Sequence, residues 1–196
     1  MIALEGIDQA GKRTQARLLA ERLRGLGLDV AVWSFPDYGT ELGREIGAFL
    51  WGERRYSPRV RHLLYAANKW EKAEELSGLL RRGAFVIIDR YKASNIAYGM
   101  ARGLDRGWLA NLEAGLPEAD LTILIDISPE ESMRRKAGAR DVYEADLEFL
   151  GRVRESYLAL AKEGGWPIVD GHGSPREVSE EVWKASSKRL PSPARP

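Results

Sequence analysis

The sequence predicts an α/β protein in which a five-stranded parallel sheet is flanked by helices. Two observations carry this prediction. Short apolar runs, typical of strands buried on both faces, alternate with longer stretches of helical periodicity. A glycine-containing loop, EGIDQAGKRTQ at residues 5–15, separates the first apolar run from the first helical stretch. With 196 residues the chain has the size of one domain, which we assign to residues 1–190, and we expect a disordered tail at 191–196.

Five strands are predicted from apolar runs that end at turns or polar residues. In order they cover residues 1–4, 29–35, 84–88, 120–127 and 166–170. The run at 84–88 is continuously apolar and is therefore expected in the middle of the sheet. Because helical stretches separate the strands, we expect parallel pairing.

Helices are predicted in the other intervals between these strands, and none is predicted between the third strand and the fourth. The first follows the loop, and the others cover residues 40–50, 58–82, a stretch that begins at 128, 141–163 and 174–187. Thr40 suits an N-cap and Pro58 suits a first-turn position, because these residue types satisfy or remove orphan N–H groups. Ser128 likewise suits a cap.

The loop at residues 5–15 has Walker A spacing, with Gly6 followed by Gly11 and Lys12. In that motif backbone N–H groups surround a phosphate, the lysine reaches the terminal phosphates, and the next helix adds its positive end. Arg13 stands where the motif has the Ser or Thr that ligates Mg²⁺, and Thr14 follows it. A glycine turn that merely joins a strand to a helix is the alternative, which this context disfavours.

Composition argues against several classes of function. Lysine and arginine number 30 and aspartate and glutamate 29, so the net charge is +1 and no overall basic field favours nucleic acid or membrane surfaces. The absence of cysteine excludes disulfides and thiolate sites, and two histidines argue against a histidine metal cluster. No signal peptide or membrane span is recognisable. We expect a cytoplasmic protein.

Asp89 and Arg90 directly follow the predicted central strand. Ligands of open parallel sheets bind beyond the carboxyl ends of the strands, where the loop at residues 5–15 is also expected. An aspartate there can hold Mg²⁺ or its water, and an arginine can bind a second phosphate through paired N–H donors. A local ion pair at a strand end is the alternative interpretation.

A cationic stretch follows the fourth predicted strand. Its cations are Arg134, Arg135, Lys136 and Arg140. Phosphoryl transfer depends on positioning and charge neutralisation, so cations on a mobile segment can complete such a site. We therefore predict a small lid at about residues 129–141, although a solvated helix end has the same composition.

Together with further motifs, these features resemble the thymidylate kinases, P-loop nucleoside monophosphate kinases that phosphorylate dTMP with ATP in dTTP biosynthesis. The resemblance spans residues 5 to about 181. It rests on the loop, Phe35-Pro36, LYAANKW at 64–70, DRY at 89–91 with the following SNIAY, LPEADLT at 116–122 and RDVYE at 140–144. It implies a P-loop kinase fold with a small lid, the reaction ATP + dTMP → ADP + dTDP, and Mg²⁺ as the cofactor.

The resemblance places ATP at the loop. The implied ATP-binding residues are Gly6, Ile7, Asp8, Gln9, Ala10, Gly11, Lys12, Arg13 and Thr14. The implied catalytic residues are Lys12, Asp8, Arg90, Arg134 and Arg140, and the implied metal ligands are Asp8, Asp89 and Glu144. Because Gln9 stands where some members carry a catalytic arginine, the resemblance implies that the lid supplies it.

The resemblance also implies an acceptor site for dTMP. Its residues are Asp8, Phe35, Tyr38, Tyr65, Lys69, Arg90, Ser94, Asn95, Tyr98, Asp141 and Tyr143. Tyr65 and Lys69, four residues apart on one helix face, would stack on the thymine and donate to its carbonyl oxygen. Asn95 would read the base, and Tyr98 would block the 2′ position of the sugar.

Three positions depart from the usual family pattern. Tyr38 replaces an arginine that often holds the acceptor phosphate. The GKRT of residues 11–14 is similar to one subgroup of bacterial members, and in that subgroup a tyrosine is found at the matching position. Lys69 replaces an arginine, so a single ammonium takes the place of a planar fork. Gly99 stands where many members have glutamine.

Two other functions stay open on the sequence alone. A deoxynucleoside kinase on the same fold phosphorylates a hydroxyl and has no need of Arg90 as a phosphate clamp. A nucleotide-binding regulator without catalysis is suggested by Arg13, Tyr38 and Lys69. A GTPase is disfavoured, since no Asn/Thr-Lys-x-Asp motif is present. The resemblance implies a homodimer that binds ATP and dTMP, with no nucleic-acid or membrane partner.

Overall fold

The computed structural model describes residues 1–135 and 146–188. Its centre is a sheet of five parallel strands in the order β2-β3-β1-β4-β5. The strands are β1 (Ile2–Glu5), β2 (Val30–Ser34), β3 (Phe85–Asp89), β4 (Leu121–Asp126) and β5 (Ile168–Asp170). The predicted five-stranded parallel sheet is confirmed.

Helices connect the strands and flank the sheet. They are α1 (Lys12–Gly25), α2 (Glu41–Leu50), α3 (Pro58–Trp70), α4 (Ala73–Arg81), α5 (Lys92–Met100), α6 (Arg106–Glu113), α7 (Pro129–Arg135), α8 (Leu147–Gly164) and α9 (Pro175–Ser187). Of the helices within the described ranges, none is both long enough and apolar enough to span a bilayer.

Alternate residues of the central strands face two different cores, as the two-residue period of a strand requires. Leu4 of β1 and Ile87 of β3 belong to the larger core, which also holds apolar residues of α1, α8 and α9. Ala3, Val86 and Ile88 belong to the smaller core with Leu76 of α4. The middle of the sheet is therefore buried on both faces, as its continuous apolar runs predict.

The predicted caps start their helices. Gly43 N donates to Thr40 Oγ1 at 3.0 Å at the start of α2. Glu131 N donates to Ser128 Oγ at 3.1 Å at the start of α7. Ser174 forms a capping box with Glu177 before α9, so both residues satisfy backbone groups of the other.

The single helix predicted at 58–82 is wrong, because the chain forms α3 and α4 with a turn between them. Lys72 in this turn has φ of −107° and ψ of 0°. Its ammonium lies 3.0 Å from Glu75 Oε2 and 3.7 Å from Asp37 Oδ2. Neither glycine nor proline marks the turn, so helical periodicity continues through it in the sequence.

The helix predicted at 141–163 begins later where the structure describes it. Asp146 is the N-cap of α8, and its carboxylate accepts from Phe149 N at 2.9 Å. Residues 141–145, part of the predicted lid and the predicted tail at 191–196 lie outside the described residues.

The carboxyl ends of β1 and β3 bring two distant segments together. Leu4 pairs with Asp89 in the parallel register, and Arg90 N donates to Leu4 O at 3.0 Å. The glycine loop that follows β1 therefore lies beside Arg90. This edge of the sheet is where the ligands of such folds bind.

Candidate active site

The glycine loop depends on two positions that only glycine occupies without strain. Gly6 has φ of 144°, and a Cβ there would lie 2.3 Å from Ile125 O of β4. Gly11 has φ of 92° and is the N-cap of α1. The loop thus packs closely on β4 and delivers the N-terminal end of α1 to the site, where the helix dipole favours anions.

Lys12 is 5 % exposed, and its ammonium donates to Ile7 O at 2.7 Å. Burial, reinforced by the nearby Arg90, lowers the pKa of Lys12 to about 8, against the opposing effect of Asp89 and Asp8. A phosphate ligand would favour the charged form. This lysine therefore lies where a phosphate is the expected partner.

An open cleft runs along the loop, and we call it the donor cleft. Its lining is formed by Asp8, Gln9, Ala10, Gly11, Lys12, Arg13, Thr14, Gln15, Asp89, Arg90, Arg135, Gly171, Gly173, Pro175 and Val178. Seven of the nine predicted ATP-binding residues are in this lining. The other two, Gly6 and Ile7, contribute their carbonyl oxygens to Arg90 and Lys12.

Several lining residues were absent from the predicted site. Gln15 of α1 donates from Nε2 to Pro175 O at 2.9 Å, which ties α1 to the first residue of α9. Gly173 in the loop after β5 and Pro175 and Val178 of α9 extend the wall of the cleft. The signal available in the sequence is that Asp170-Gly171 stands at the end of the last predicted strand, and ligands of such folds bind beyond the carboxyl ends of the strands.

Arg135 lines the donor cleft, whereas Arg134 does not. The Arg134 side chain is 75 % exposed and pairs with Glu131 at 2.7 Å. Arg135 also bonds Glu131, but donates in addition to Gln9 O at 3.3 Å and to Gly171 O at 2.7 Å. One residue on an α-helix turns the side chain by about 100°, so the structure gives the inward position to Arg135 and not to the predicted Arg134.

Arg90 joins the loop to the segment after β3. It donates from Nη2 to Asp8 Oδ1 and from Nη1 to Gly6 O at 3.0 Å. Its φ of 64° is left-handed, a conformation that costs a non-glycine residue on the order of 1–3 kcal/mol. The bonds to the loop and the backbone bond to Leu4 hold this conformation in place.

A buried carboxylate, that of Glu5, is linked to Arg90 through the residues around it. Glu5, at the end of β1, is fully buried and accepts from Tyr91 N at 2.9 Å, from Ser94 Oγ at 2.6 Å and from Tyr157 OH at 3.2 Å. Arg90 in turn donates weakly to the Tyr157 hydroxyl at 3.3 Å. The predicted Ser94 therefore lines the site with its hydroxyl committed to Glu5.

A second pocket adjoins the donor cleft and shares Asp8 and Arg90 with it, and we call it the acceptor pocket. Its lining is Asp8, Phe35, Pro36, Tyr38, Leu50, Tyr65, Lys69, Arg90, Tyr91, Ser94, Asn95 and Tyr98. All nine predicted dTMP-binding residues that the structure describes are among them. The remaining two, Asp141 and Tyr143, lie outside the described residues, as do the predicted Arg140 and Glu144.

Asp8 stands between the two pockets with both oxygens engaged. Oδ1 accepts from Arg90, and Oδ2 accepts from Tyr98 OH at 2.7 Å. Burial acts to raise the pKa of Asp8, but Arg90, Lys12 and the bond from Tyr98 lower it to below its ordinary value. Burial raises the pKa of Tyr98, so its phenol stays protonated and donates. Asp8 is therefore an ionised acceptor that orients two lining residues.

One end of the acceptor pocket, around Lys69 and Asn95, is a buried polar network. We call it the base end, because these are the residues predicted to contact the thymine base. Lys69 donates to Tyr65 O at 2.8 Å and lies 3.1 Å from Glu113 Oε1. Asn95 Nδ2 donates to Glu113 Oε1 at 2.7 Å and to His62 O at 3.1 Å. Burial lowers the pKa of Lys69 and raises that of Glu113, each against the attraction of the other. Lys69 was predicted to donate a hydrogen bond to the thymine base. Glu113 and His62 were not predicted to belong to the site.

Gly99 fits tightly rather than leaving space for a larger side chain. A Cβ at this position of α5 would lie 2.5 Å from both methyl carbons of Leu109, which is fully buried on α6. A glutamine, which the resemblance noted above would place here, would collide with Leu109 of α6. Close packing of α5 on α6 explains this departure.

Asp89 is the described residue that best fits a metal role. Its Oδ1 is buried in the donor cleft and has no hydrogen-bond partner among the described residues. No cluster of three or more His, Cys, Asp or Glu side chains suited to a metal occurs within residues 1–135 and 146–188. A hard oxygen donor beside a phosphate loop suits Mg²⁺, which commonly takes one or two carboxylates and completes its shell with phosphates and water.

The comparisons with known proteins agree with one another. The family model described as Thymidylate kinase matches residues 4–182, a range that includes both pockets. Thymidylate kinase from Arabidopsis thaliana is 36 % identical over 93 % of this chain and 68 % of that protein. Thymidylate kinase from Thermomicrobium roseum is 39 % identical over 93 % of this chain and 91 % of that protein. A solved structure of thymidylate kinase from Candida albicans has a TM-score of 0.85 at 30 % identity, covering 96 % of this chain and 91 % of that chain.

Proposed function

The chain belongs to the thymidylate kinase family, and on this premise we propose that its two adjoining pockets bind ATP and dTMP. The enzyme is a dTMP kinase, which transfers the γ-phosphoryl group of ATP to dTMP and yields ADP and dTDP. One observation carries the assignment of the pockets. Asp8 and Arg90 form an ion pair and line both of them, so a donor and an acceptor phosphate would meet at this pair.

Phosphoryl transfer requires charge neutralisation on the transferred group and alignment of the two oxygens. Lys12 and the N-terminal end of α1 supply positive charge to the donor phosphates. Arg90 supplies charge at the junction with the acceptor phosphate. Arg135 approaches the donor cleft from α7, and Arg140 is proposed as a further lid cation. Lys12, Arg90 and Arg135 converge from three separate elements, and we propose that closure of the lid completes the site.

No side chain has to act as a general base in this reaction. The second pKa of a phosphate monoester is about 6, so the acceptor phosphate of dTMP is already largely a dianion near pH 7. Asp8 is ionised but is bonded to Arg90 and Tyr98. We assign it the role of orienting these two residues, which face the acceptor.

We propose Mg²⁺ as the cofactor, held with ATP by Asp89 and, from the segment outside the described residues, by Glu144. When bound, Mg²⁺ offsets negative charge on the phosphate oxygens. The unpartnered buried oxygen of Asp89 supports this assignment. Asp8, also predicted as a metal ligand, has both oxygens engaged by protein donors, so it is a weaker candidate ligand than Asp89.

The test is a comparison of acceptors. Initial rates of ADP formation with ATP and Mg²⁺ are measured for dTMP, dUMP, dCMP, dGMP and thymidine, beside a Lys12→Ala variant. We expect the highest turnover with dTMP and its loss in the variant. Turnover with thymidine alone would identify a nucleoside kinase, and ATP binding without any turnover would favour a regulator.

We also propose a homodimer built on α3. Val60, Leu63 and Trp70 are spaced along one face of this helix and are 38 %, 46 % and 44 % exposed. An exposed apolar stripe of this kind marks an association surface. Sedimentation of the wild type is expected to show a dimer, and Leu63→Glu is expected to dissociate it, whereas a monomeric wild type would refute the proposal.

The absence of cysteine suits the reducing cytoplasm, where we place the enzyme.

A further inference from the structure

One carboxylate oxygen connects the two polar residues at the base end of the acceptor pocket. Glu113 Oε1 lies 3.1 Å from Lys69 Nζ and accepts from Asn95 Nδ2 at 2.7 Å. All three side chains are nearly inaccessible, with Glu113 2 % exposed and Lys69 and Asn95 each 3 % exposed. Lys69 and Asn95 line the pocket, whereas Glu113 contacts it only through them.

The bonds of Asn95 fix the direction of its amide. Both hydrogens of Nδ2 are used, one by Glu113 Oε1 and one by His62 O. Oδ1 faces His62 Nδ1 at 2.7 Å, so this ring nitrogen carries the proton and donates. Asn95 therefore has no amide hydrogen left for a ligand and can offer only the second lone pair of Oδ1.

The bonds of Lys69 leave the opposite capacity. An ammonium has three hydrogens. Among the described residues, Tyr65 O and Glu113 Oε1 account for two of them. The third is available to a ligand in the pocket, which the side chain lines. The base end thus presents one acceptor, from Asn95, and one donor, from Lys69.

This pair matches one class of pyrimidine edge. Thymine and uracil present an N3–H donor beside a 4-oxo acceptor, whereas cytosine presents an N3 acceptor beside a 4-amino donor. Cytosine would place donor against donor and acceptor against acceptor. Leaving such buried groups unpaired is what makes a hydrogen-bonding site reject the wrong analogue strongly.

We propose that Glu113 is a positioning residue that sets the selectivity of the acceptor pocket for pyrimidine nucleotides with an N3–H and a 4-oxo group over cytosine nucleotides. The proposal rests on the function proposed for this pocket. Glu113 holds the amide of Asn95 in its acceptor orientation, and it keeps the ammonium of Lys69 in place. It also compensates for the lysine, because a flexible ammonium lacks the fixed geometry of the guanidinium it replaces.

The test measures kcat and KM for dTMP and dCMP in the wild type and in Glu113→Gln. Glutamine removes the charge and places an N–H donor among the donors of Lys69 and Asn95. We expect the dTMP to dCMP ratio of kcat/KM to fall on the order of tenfold or more, through KM for dTMP, with kcat and KM for ATP nearly unchanged. Glu118→Gln is the matched control, since Glu118 follows α6 and is 84 % exposed; it is expected to keep the wild-type ratio.

Glu113→Asp keeps the charge that Lys69 requires but shortens the side chain by one methylene, so it carries the test if Glu113→Gln fails to fold. Its ratio is expected to lie below that of the wild type. An unchanged ratio beside normal dTMP turnover would overturn the proposal and leave the proposed function intact. An equal loss of dTMP and dCMP activity through kcat would show a merely structural role and also overturn it. A wild type without dTMP turnover would overturn both.

Discussion

Arg90 and Asp8 form an ion pair across 82 positions of sequence, and it stands where the donor cleft meets the acceptor pocket. Leu4 and Asp89 are register partners in adjacent parallel strands, Arg90 directly follows β3, and Asp8 lies in the glycine loop that follows β1, so the two side chains meet. Asp8 accepts the guanidinium at one oxygen and the Tyr98 hydroxyl at the other. The site is thus pre-oriented by the sheet before any ligand binds.

Arg90→Lys keeps a positive charge but removes the planar fork that contacts Asp8 and Gly6 together. We expect kcat/KM for dTMP to fall on the order of 10²–10³-fold, the scale of losing one electrostatic stabiliser of a transition state. Steady-state kinetics measure this effect. Arg106→Lys is the matched control, since Arg106 is 48 % exposed and pairs with Glu163 at the surface. Equal activity of wild type and Arg90→Lys would contradict the role assigned to Arg90.

Binding of ATP is expected to weaken above pH 8, because burial lowers the pKa of Lys12 to about 8 and the phosphates bind its charged form. Calorimetry without dTMP is expected to show the dissociation constant rising toward tenfold per pH unit above pH 8, with proton uptake on binding. Lys12→Arg serves as the comparison, since a guanidinium does not titrate in this range. A wild-type affinity that stays flat from pH 7.5 to 9.5 would show that the Lys12 ammonium is not titrating there.

His62 is expected to make the fold sensitive to acid. Burial lowers its pKa from 6.5 to about 4, so the unfolded chain binds a proton between these values and the folded chain does not. Stability present above pH 6.5 is therefore lost as the pH falls to 4, by about 3 kcal/mol at most. Urea unfolding of wild type and His62→Asn across this range measures the difference.

The acid-sensitivity experiment has a second histidine as its control. His172 is 45 % exposed, so His172→Asn retains the buried His62 and is expected to lose stability as the wild type does. If His62→Asn showed the same loss between pH 6.5 and 4, another group would be responsible.

Arg135 and Arg134 are expected to differ in their effect on ATP. Arg135 donates to Gln9 O and Gly171 O at the donor cleft, so Arg135→Ala is expected to raise KM for ATP on the order of tenfold, the scale of one charge-assisted hydrogen bond. Arg134→Ala removes an exposed surface pair and is expected to change KM by no more than about twofold. Kinetics with varied ATP decide between them, and the reverse ranking would return the catalytic role to Arg134.

Local sequence determined the strands and the glycine loop, and the family resemblance implied most of the residues that line the two pockets. Continuous apolar runs reveal strands buried on both faces, because such strands tolerate no polar side. The spacing of Gly6, Gly11 and Lys12 reveals the loop, because that spacing is typical of loops that wrap backbone N–H groups around a phosphate. Caps such as Thr40 are equally local, since they bond within one turn.

Tertiary structure alone decided the features that depend on contacts between distant segments. The turn at Glu71–Lys72 lies beside Asp37, and neither of its residues breaks a helix by itself. The inward position of Arg135 over Arg134 depends on how α7 is rotated against the donor cleft. The position of Glu113 behind the acceptor pocket could not be predicted from the sequence, since an acidic residue near a helix end ordinarily faces solvent. Only the packing of α6 beside α3 and α5 buries its carboxylate against Lys69 and Asn95. The sequence specifies the chemistry of each side chain. The packing of whole helices and strands decides which side chains come into contact.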